Sequence, residues 1–307
     1  MTARAASIGE CMIELSPRPG DLFALGFGGD TLNTAVYMAR LGVKVDYLTA
    51  LGDDAFSDRM LAAWQAEGVG TSQVRRLAGR VPGLYLIQTD SAGERRFSYW
   101  RDRAPARELF RLPDTDALLA TIESAYDLVY LSGISLSLYG DDGRARLTQA
   151  LDALRARGGR VAFDSNYRPR NWPDVATARD TMAELLRRSD IALVSADDER
   201  ALWGDADTET TARRIQALGV AEIVVKSAGD AAVLLVKGSR AASVAPERDV
   251  KPVDSTAAGD SFNAAYLAAR LADAPPLDAA RSGHRLAAAV IQHPGAVIPR
   301  QAMPSVI

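Results

Sequence analysis

The chain has 307 residues and one cysteine, Cys11, so no intramolecular disulfide can form and a reducing compartment suits it. Its only two histidines, His284 and His293, lie in the C-terminal part and give no ligand spacing for a structural metal site. The formal net charge is −3 and the arginines are scattered, which leaves no basic stripe to hold a nucleic acid. No uninterrupted apolar run approaches the length needed to cross a bilayer, and residues 1–9 lack the charged-then-apolar pattern of a secretory leader. The expectation is a cytoplasmic protein with neither membrane nor nucleic-acid partner. Two phosphate-binding signatures are missing as well: there is no Gly-x-x-x-x-Gly-Lys-Ser/Thr and no Gly-x-Gly-x-x-Gly after a strand. A P-loop enzyme and an ordinary dinucleotide-binding dehydrogenase both lose ground.

What is present is an apolar content of 48%, enough for a large core. Short apolar runs alternate with longer amphipathic stretches, the pattern of βα units on a mainly parallel sheet, which predicts an α/β fold. The clearest strands are 127–131, 160–163, 191–194 and 222–226, and the clearest helical patterns are 143–157, 175–188 and 208–218. Open sheets of this kind bind ligands beyond the carboxyl ends of their strands, which puts Asp164, Ser165, Asn166, Arg168 and Lys226 at the candidate edge. The first third of the chain reads differently. Residues 84–88 and 95–100 alternate like two antiparallel strands joined by a turn over 89–94. With 8–15 and 22–25 they predict a small separate sheet, either a lid that keeps water from a cleft or an edge meander with no ligand.

The most informative run is Asp254-Ser-Thr-Ala-Ala-Gly-Asp260, directly before an apolar-periodic stretch over 261–271. Ala257, Ala258 and Gly259 have almost no side chain, so their N–H groups can converge on an anion at the positive end of a helix. Asp260, on the first turn, can then reach a hydroxyl presented to that anion. A phosphate held by amides beside a base aimed at an alcohol is the minimal equipment of a small-molecule kinase. Capping explains any one of these residues but not seven in this order.

Weaker clusters accompany it. In Gly28-Gly-Asp-Thr-Leu-Asn33, Gly29 admits close approach while Asp30 and Asn33 suit sugar hydroxyls, although the same string also makes a plain turn and cap. Tyr99 and Arg101 share one strand face, with Tyr85 in the partner strand, and an arginine there suits a carboxylate or phosphate; a solvated strand face is the rival reading. In Asp164-Ser-Asn-Tyr-Arg-Pro-Arg170, Pro169 holds the loop extended and Arg168 offers a cation at the sheet edge. Lys226-Ser-Ala-Gly-Asp230 is either a β-turn or a loop around a nucleotide.

Gly29, Asn33, Ala35, Gly42 and Gly52, together with the Asp254 to Asp260 run, resemble the ribokinase-like (PfkB) carbohydrate kinases. Within them, Gly9-Glu-Cys-Met-Ile-Glu-Leu15, Tyr99-Trp-Arg101 and Leu131-Ser-Gly-Ile-Ser135 are similar to the 2-keto-3-deoxygluconate kinases of bacteria. The resemblance implies a single three-layer α/β/α domain over 1–307 with a mainly parallel sheet and a discontinuous β lid from about 10–30 and 81–104. It implies transfer of the γ-phosphoryl group of ATP to the C6 hydroxyl of 2-keto-3-deoxy-D-gluconate, with Asp260 as general base and the amides of Ala257, Ala258 and Gly259 as an anion hole. Substrate would lie against Gly29, Asp30, Asn33, Tyr85, Tyr99, Arg101 and Arg168. Nucleotide would lie against Asn166, Lys226, Ser227, Gly229, Ala257 and Gly259. Magnesium is implied, a monovalent cation is allowed, and a homodimer through the lid sheets is expected. Position 257 is Ala where most of the family has Gly, which calls for an ordinary φ there. The family's Asn-x-x-Glu element corresponds to Ala196-Asp-Asp-Glu199, keeping the glutamate that acts indirectly on magnesium. A fructokinase- or ribokinase-type enzyme is the nearest rival, and a non-catalytic sugar-acid sensor a more distant one.

Overall fold

Strands that are apolar on both faces need cover on both, and this chain supplies it. The computed structural model describes residues 3–20, 22–89 and 95–305, and within these an eight-stranded sheet forms. Its order is Ala242–Val244, Ala232–Val236, Glu222–Lys226, Ile191–Ser195, Arg160–Asp164, Leu128–Ser132, Arg4–Ile8 and Lys44–Leu48. The last six strands pair in parallel, and the first two pairings are antiparallel. Alternate residues feed two cores: Ile8, Leu131, Phe163 and Val194 face one, while Ala5, Tyr130, Ala162 and Leu193 face the other. Helices Thr115–Ala125, Asp141–Ala156, Val175–Leu186 and Thr208–Ala217 cover the first core. Helices Asp30–Arg40, Ala55–Ala66, Ala258–Leu271 and Pro276–Val290 cover the second. The result is a ribokinase-like three-layer α/β/α arrangement, in which each fully buried large side chain contributes about 1.5–3 kcal/mol. Among the described residues no helix is long and apolar enough to cross a membrane.

The small sheet has the order Leu22–Gly28, Met12–Arg18, Leu84–Thr89, Arg95–Trp100, with Tyr85 directly opposite Tyr99. Residues 90–94 of the expected turn lie outside the described residues. The sequence reading started the small-sheet segment at residue 8 and had no strand before it; Arg4–Ile8 is a strand of the large sheet, between Leu128–Ser132 and Lys44–Leu48, and the small sheet takes Met12–Arg18. Ala5, Ala6, Ser7 and Ile8 are all wholly buried, and such a short run of small residues gives little signal until two strands flank it.

The helix Ala258–Leu271 starts from Ala257, whose φ of 62° and ψ of 16° are left-handed. The expectation of an ordinary φ at this alanine is therefore overturned. Asp254 fixes the turn from one side: its Oδ1 accepts from the Thr256 N–H at 3.0 Å and the Thr256 hydroxyl at 2.7 Å, and its Oδ2 accepts from the Gly295 N–H at 2.9 Å. Packing of Phe262 and Tyr266 fixes the helix on the other side, so Ala257 must reverse the chain between them. A Cβ in that region costs about 1–2 kcal/mol. Ala257→Gly should raise the urea midpoint by the equivalent of about 0.5–1 kcal/mol, and Ala257→Val should lower it. A lowered midpoint for the glycine variant would contradict the strain.

Candidate active site

The carboxyl ends of the parallel strands open onto one cleft of about 970 Å³, walled on one side by Tyr85, Phe97 and Tyr99 of the small sheet. Asp260 lies at its floor on the first turn of Ala258–Leu271. The Asn33 amide donates to Asp260 Oδ2 at 2.9 Å, and the Thr34 hydroxyl donates to the Asp260 carbonyl at 3.2 Å. These bonds join the starts of two helices that the sequence separates by more than two hundred residues. Burial raises the Asp260 carboxyl first, the neighbouring Asp30 carboxylate second, and Asp164 adds to the rise. The Asn33 bond and Lys226 oppose it, and the outcome is a group pushed up to about 7. A carboxylate poised there is suited to take a proton from an alcohol near neutral pH.

Beneath the turn lies a closed polar knot. Asp164 Oδ2 accepts from Lys226 Nζ at 2.9 Å and from the Asn263 amide at 2.7 Å, and Lys226 also donates to Asn263 Oδ1 at 2.8 Å. Asn263 donates further to the Tyr130 hydroxyl at 3.0 Å. The ammonium sits 3.5 Å from where a Cβ on Gly259 would lie, so its charge is directly under the small-residue turn. Of the three amides expected to form a cradle, Ala258 N–H turns back to the Ser255 carbonyl at 3.2 Å. Among the described residues the N–H groups of Ala257 and Gly259 make no such bond, as the first amides of a helix do, and both residues line the cleft.

The strand-end loop contributes Asn166, held at a φ of 33°. Its N–H donates to Asp164 Oδ1 at 3.1 Å, and its side-chain amide donates to Asp30 Oδ2 at 2.7 Å. Expected beside a nucleotide, Asn166 thus ties the sheet edge to Asp30. At the far wall Ser227 and Gly229 share the lining with Val250, Ala287 and Ile291.

The other end of the cleft is aromatic and charged. Tyr85 and Tyr99 have ring centroids 6.0 Å apart, and the Arg170 and Arg101 guanidinium groups lie 5.5 Å and 6.0 Å from the Tyr99 ring. Arg101 is ion-paired with buried Glu10, and the Tyr85 hydroxyl donates to Glu14. A Cβ on Gly28 would collide with the Tyr85 hydroxyl, and one on Gly29 with the Glu10 carbonyl, so both positions need glycine for close approach. Arg168 donates to Asp198 at 2.9 Å with its side chain still half exposed.

Every site residue expected from the sequence reaches the cleft wall except Glu199. That residue is fully buried, bonded to Arg214 at 2.5 Å in a cluster that includes Asp205. Asp197 and Asp198 face the cleft, and the next step of the helix Ala196–Trp203 turns Glu199 into the body. Among the described residues no three acidic, histidine or cysteine side chains converge on a metal position. The sequence reading passed over Glu10 and Asn263. Glu10 lies just past the carboxyl end of Arg4–Ile8, and Asn263 is an amide three residues after Asp260 among apolar neighbours; both were available signals.

The model of the pfkB family carbohydrate kinases matches residues 2–303. The chain is 46% identical over 310 residues to a 2-dehydro-3-deoxygluconokinase of Dickeya dadantii, spanning 99% of each. It is 45% identical over 311 residues to a protein of the same name from Escherichia coli K12, spanning 99% of this chain and 100% of that one. A putative ribokinase II from Escherichia coli, solved with ATP and Mg2+, shares the fold at a TM-score of 0.84 and 22% identity, over 99% of this chain and 96% of that one. With a family match across nearly its whole length, and a helix-start turn that sets a half-buried aspartate beside amides, the chain belongs to the pfkB family of carbohydrate kinases.

Proposed function

We propose that this protein transfers the γ-phosphoryl group of ATP to the C6 hydroxyl of 2-keto-3-deoxy-D-gluconate, the acid named by its relatives in Dickeya dadantii and Escherichia coli. The observation that carries the reading is Asp260, raised towards neutrality and fixed by Asn33 beside the Ala257 to Gly259 turn. Asp260 takes the hydroxyl proton as the sugar oxygen bonds to phosphorus, and the bond to the β-phosphate oxygen breaks to release ADP. The amides of Ala257 and Gly259, with Lys226 below, meet the charge on the transferring group. Gly29, Asp30, Asn33, Tyr85 and Tyr99 hold the sugar, with Arg101 and Arg168 at its acidic end. Ser227 and Gly229 line the nucleotide end, with Asn166 between the two.

A magnesium ion fits this cleft as one carried in by the nucleotide. It takes one or two carboxylates and otherwise phosphate and water oxygens, so it needs no protein cage, and Asp164 and Asp198 are on the wall. When bound it neutralises phosphate charge. The small sheet acts as the lid that excludes water from the transfer. Its exposed Leu22, Phe23 and Trp100 favour pairing with a second copy. The single cysteine is buried, which fits work in the cytoplasm.

A coupled ADP-release assay over keto-deoxy sugar acids, fructose and ribose is the direct test. The expected result is the highest kcat/KM on a 2-keto-3-deoxy acid; a clear preference for fructose or ribose would favour the fructokinase- or ribokinase-type reading, and ligand binding with no ADP release would favour a sensor. In the same assay Arg101→Ala should raise the KM for the sugar acid by about 10-fold or more while leaving that for a neutral sugar nearly unchanged. Equal effects on both would contradict carboxylate recognition at Arg101.

A further inference from the structure

Arg170 is a cation of the cleft with no anion of its own. Among the described residues three arginines and one lysine line the space. Lys226 is bonded to Asp164, Arg101 to Glu10 and Arg168 to Asp198, so each of those charges is already matched by a carboxylate. Arg170 makes one hydrogen bond among the described residues, from Nη1 to the Phe97 carbonyl at 3.2 Å, and no ion pair. Its Nε–H and Nη2–H, which together form the fork that holds a carboxylate by two parallel bonds, are unused. The guanidinium lies 5.5 Å from the centroid of the Tyr99 ring, and Phe97, Tyr99 and Arg170 all line the cleft. Arg170 is exposed, so a ligand can reach the group.

Its place in the chain fits Arg170 to the acidic end of the substrate. From the end of the strand Arg160–Asp164, alternate residues Asp164, Asn166, Arg168 and Arg170 line the cleft. Asp164 belongs to the knot with Lys226 under the turn that carries Asp260, Asn166 reaches Asp30, and Arg170 reaches the small sheet at Phe97 and Tyr99. The loop thus runs from the phosphorylated end of the sugar to the small sheet, and Arg170 stands at its outer end. Arg101 lies against the same Tyr99 ring, so this is the end at which an acid group is received. A neutral sugar presents nothing there that calls for an unmatched positive charge, whereas a carboxylate does. Resting on the sugar-acid reading of the site, we propose that the Nε–Nη2 edge of Arg170 binds the substrate carboxylate and supplies the charge by which the enzyme prefers an acid to a neutral sugar. Arg101 and Arg168 can still donate hydrogen bonds beside it, but their charges are balanced by Glu10 and Asp198.

The experiment measures kcat/KM by ADP release for a 2-keto-3-deoxy acid and for its C1 primary amide, a neutral analogue of the same shape, with the wild-type enzyme, Arg170→Gln and Arg170→Ala. Glutamine removes the charge and the fork but keeps an N–H donor for the Phe97 carbonyl. The wild type should favour the acid by about 10- to 100-fold. In Arg170→Gln the KM for the acid should rise by about 10-fold or more, while the kcat, the KM for the amide and the KM for ATP stay nearly unchanged, so that the preference collapses towards unity. Arg170→Ala should do the same, and either variant suffices if the other fails to fold. An acid-to-amide ratio that survives in these variants, or wild-type turnover of the amide equal to that of the acid, would overturn the assignment. Equal losses on acid and amide would also overturn it, since they would make Arg170 a tie between loop and small sheet and nothing more. Failure of the wild type to phosphorylate any keto-deoxy acid, with good turnover of another sugar, would instead overturn the reading of the site on which this assignment rests.

Discussion

The bond between Lys226 and Asp164 is the interaction on which the cleft depends. The carboxyl edge of the sheet gathers Asp164, Asp30 and Asp260 into a partly dry space, where like charges repel strongly. Lys226 sets a cation beneath them, and Asn263 uses both ends of its amide to complete the set, donating to Asp164 and accepting from Lys226. Removing one partner of such a buried pair leaves an uncompensated charge, which typically costs about 3–5 kcal/mol. Because Lys226 ends one strand, Asp164 another, and Asn263 belongs to the helix after the turn, this knot also fixes the turn's position relative to the sheet. Among the described residues Asp30 and Asp260 have no cation bonded to them, and burial first, with the Asp30 charge second, lifts Asp260.

Three non-glycine residues with positive φ border the same space, Asn166, Asp249 and Ala257, and one device holds the first and the last. Asp164 accepts from the N–H two residues on, at Asn166, and Asp254 does the same at Thr256. Each of these local turns delivers the chain into a left-handed residue, Asn166 in one case and Ala257 in the other. Strain of this kind persists only where neighbouring contacts over-determine the backbone. Here it serves positioning: Asn166 reaches Asp30, and Ala257 starts the helix that carries Asp260.

Much of the fold was legible in the sequence because parallel strands bury both faces and read as apolar runs between amphipathic helices. Arg4–Ile8 escaped because small residues between two flanking strands need no strong pattern of their own. The candidate residues of the cleft were legible because they sit at strand ends and helix starts. Their pairings were not: Arg101 meets Glu10 across 91 positions and Asn166 meets Asp30 across 136, and nothing local announces such contacts. Ala257 misled for a related reason, since an alanine signals an ordinary φ while its surroundings impose the reverse. That Glu199 lies off the cleft wall was not legible, because motif spacing does not say which way a helix faces.

The central claim is that burial, with the neighbouring Asp30 charge, makes Asp260 a base near neutral pH. A carboxyl whose folded-state value is raised is protonated, and so unable to accept, below that value. The pH dependence of kcat/KM for the preferred sugar acid measures this directly in the free enzyme. The account predicts a rate that rises with pH through a midpoint of about 7, the value to which burial and Asp30 raise Asp260. A rate that stays level down to the ordinary carboxylate range would contradict it.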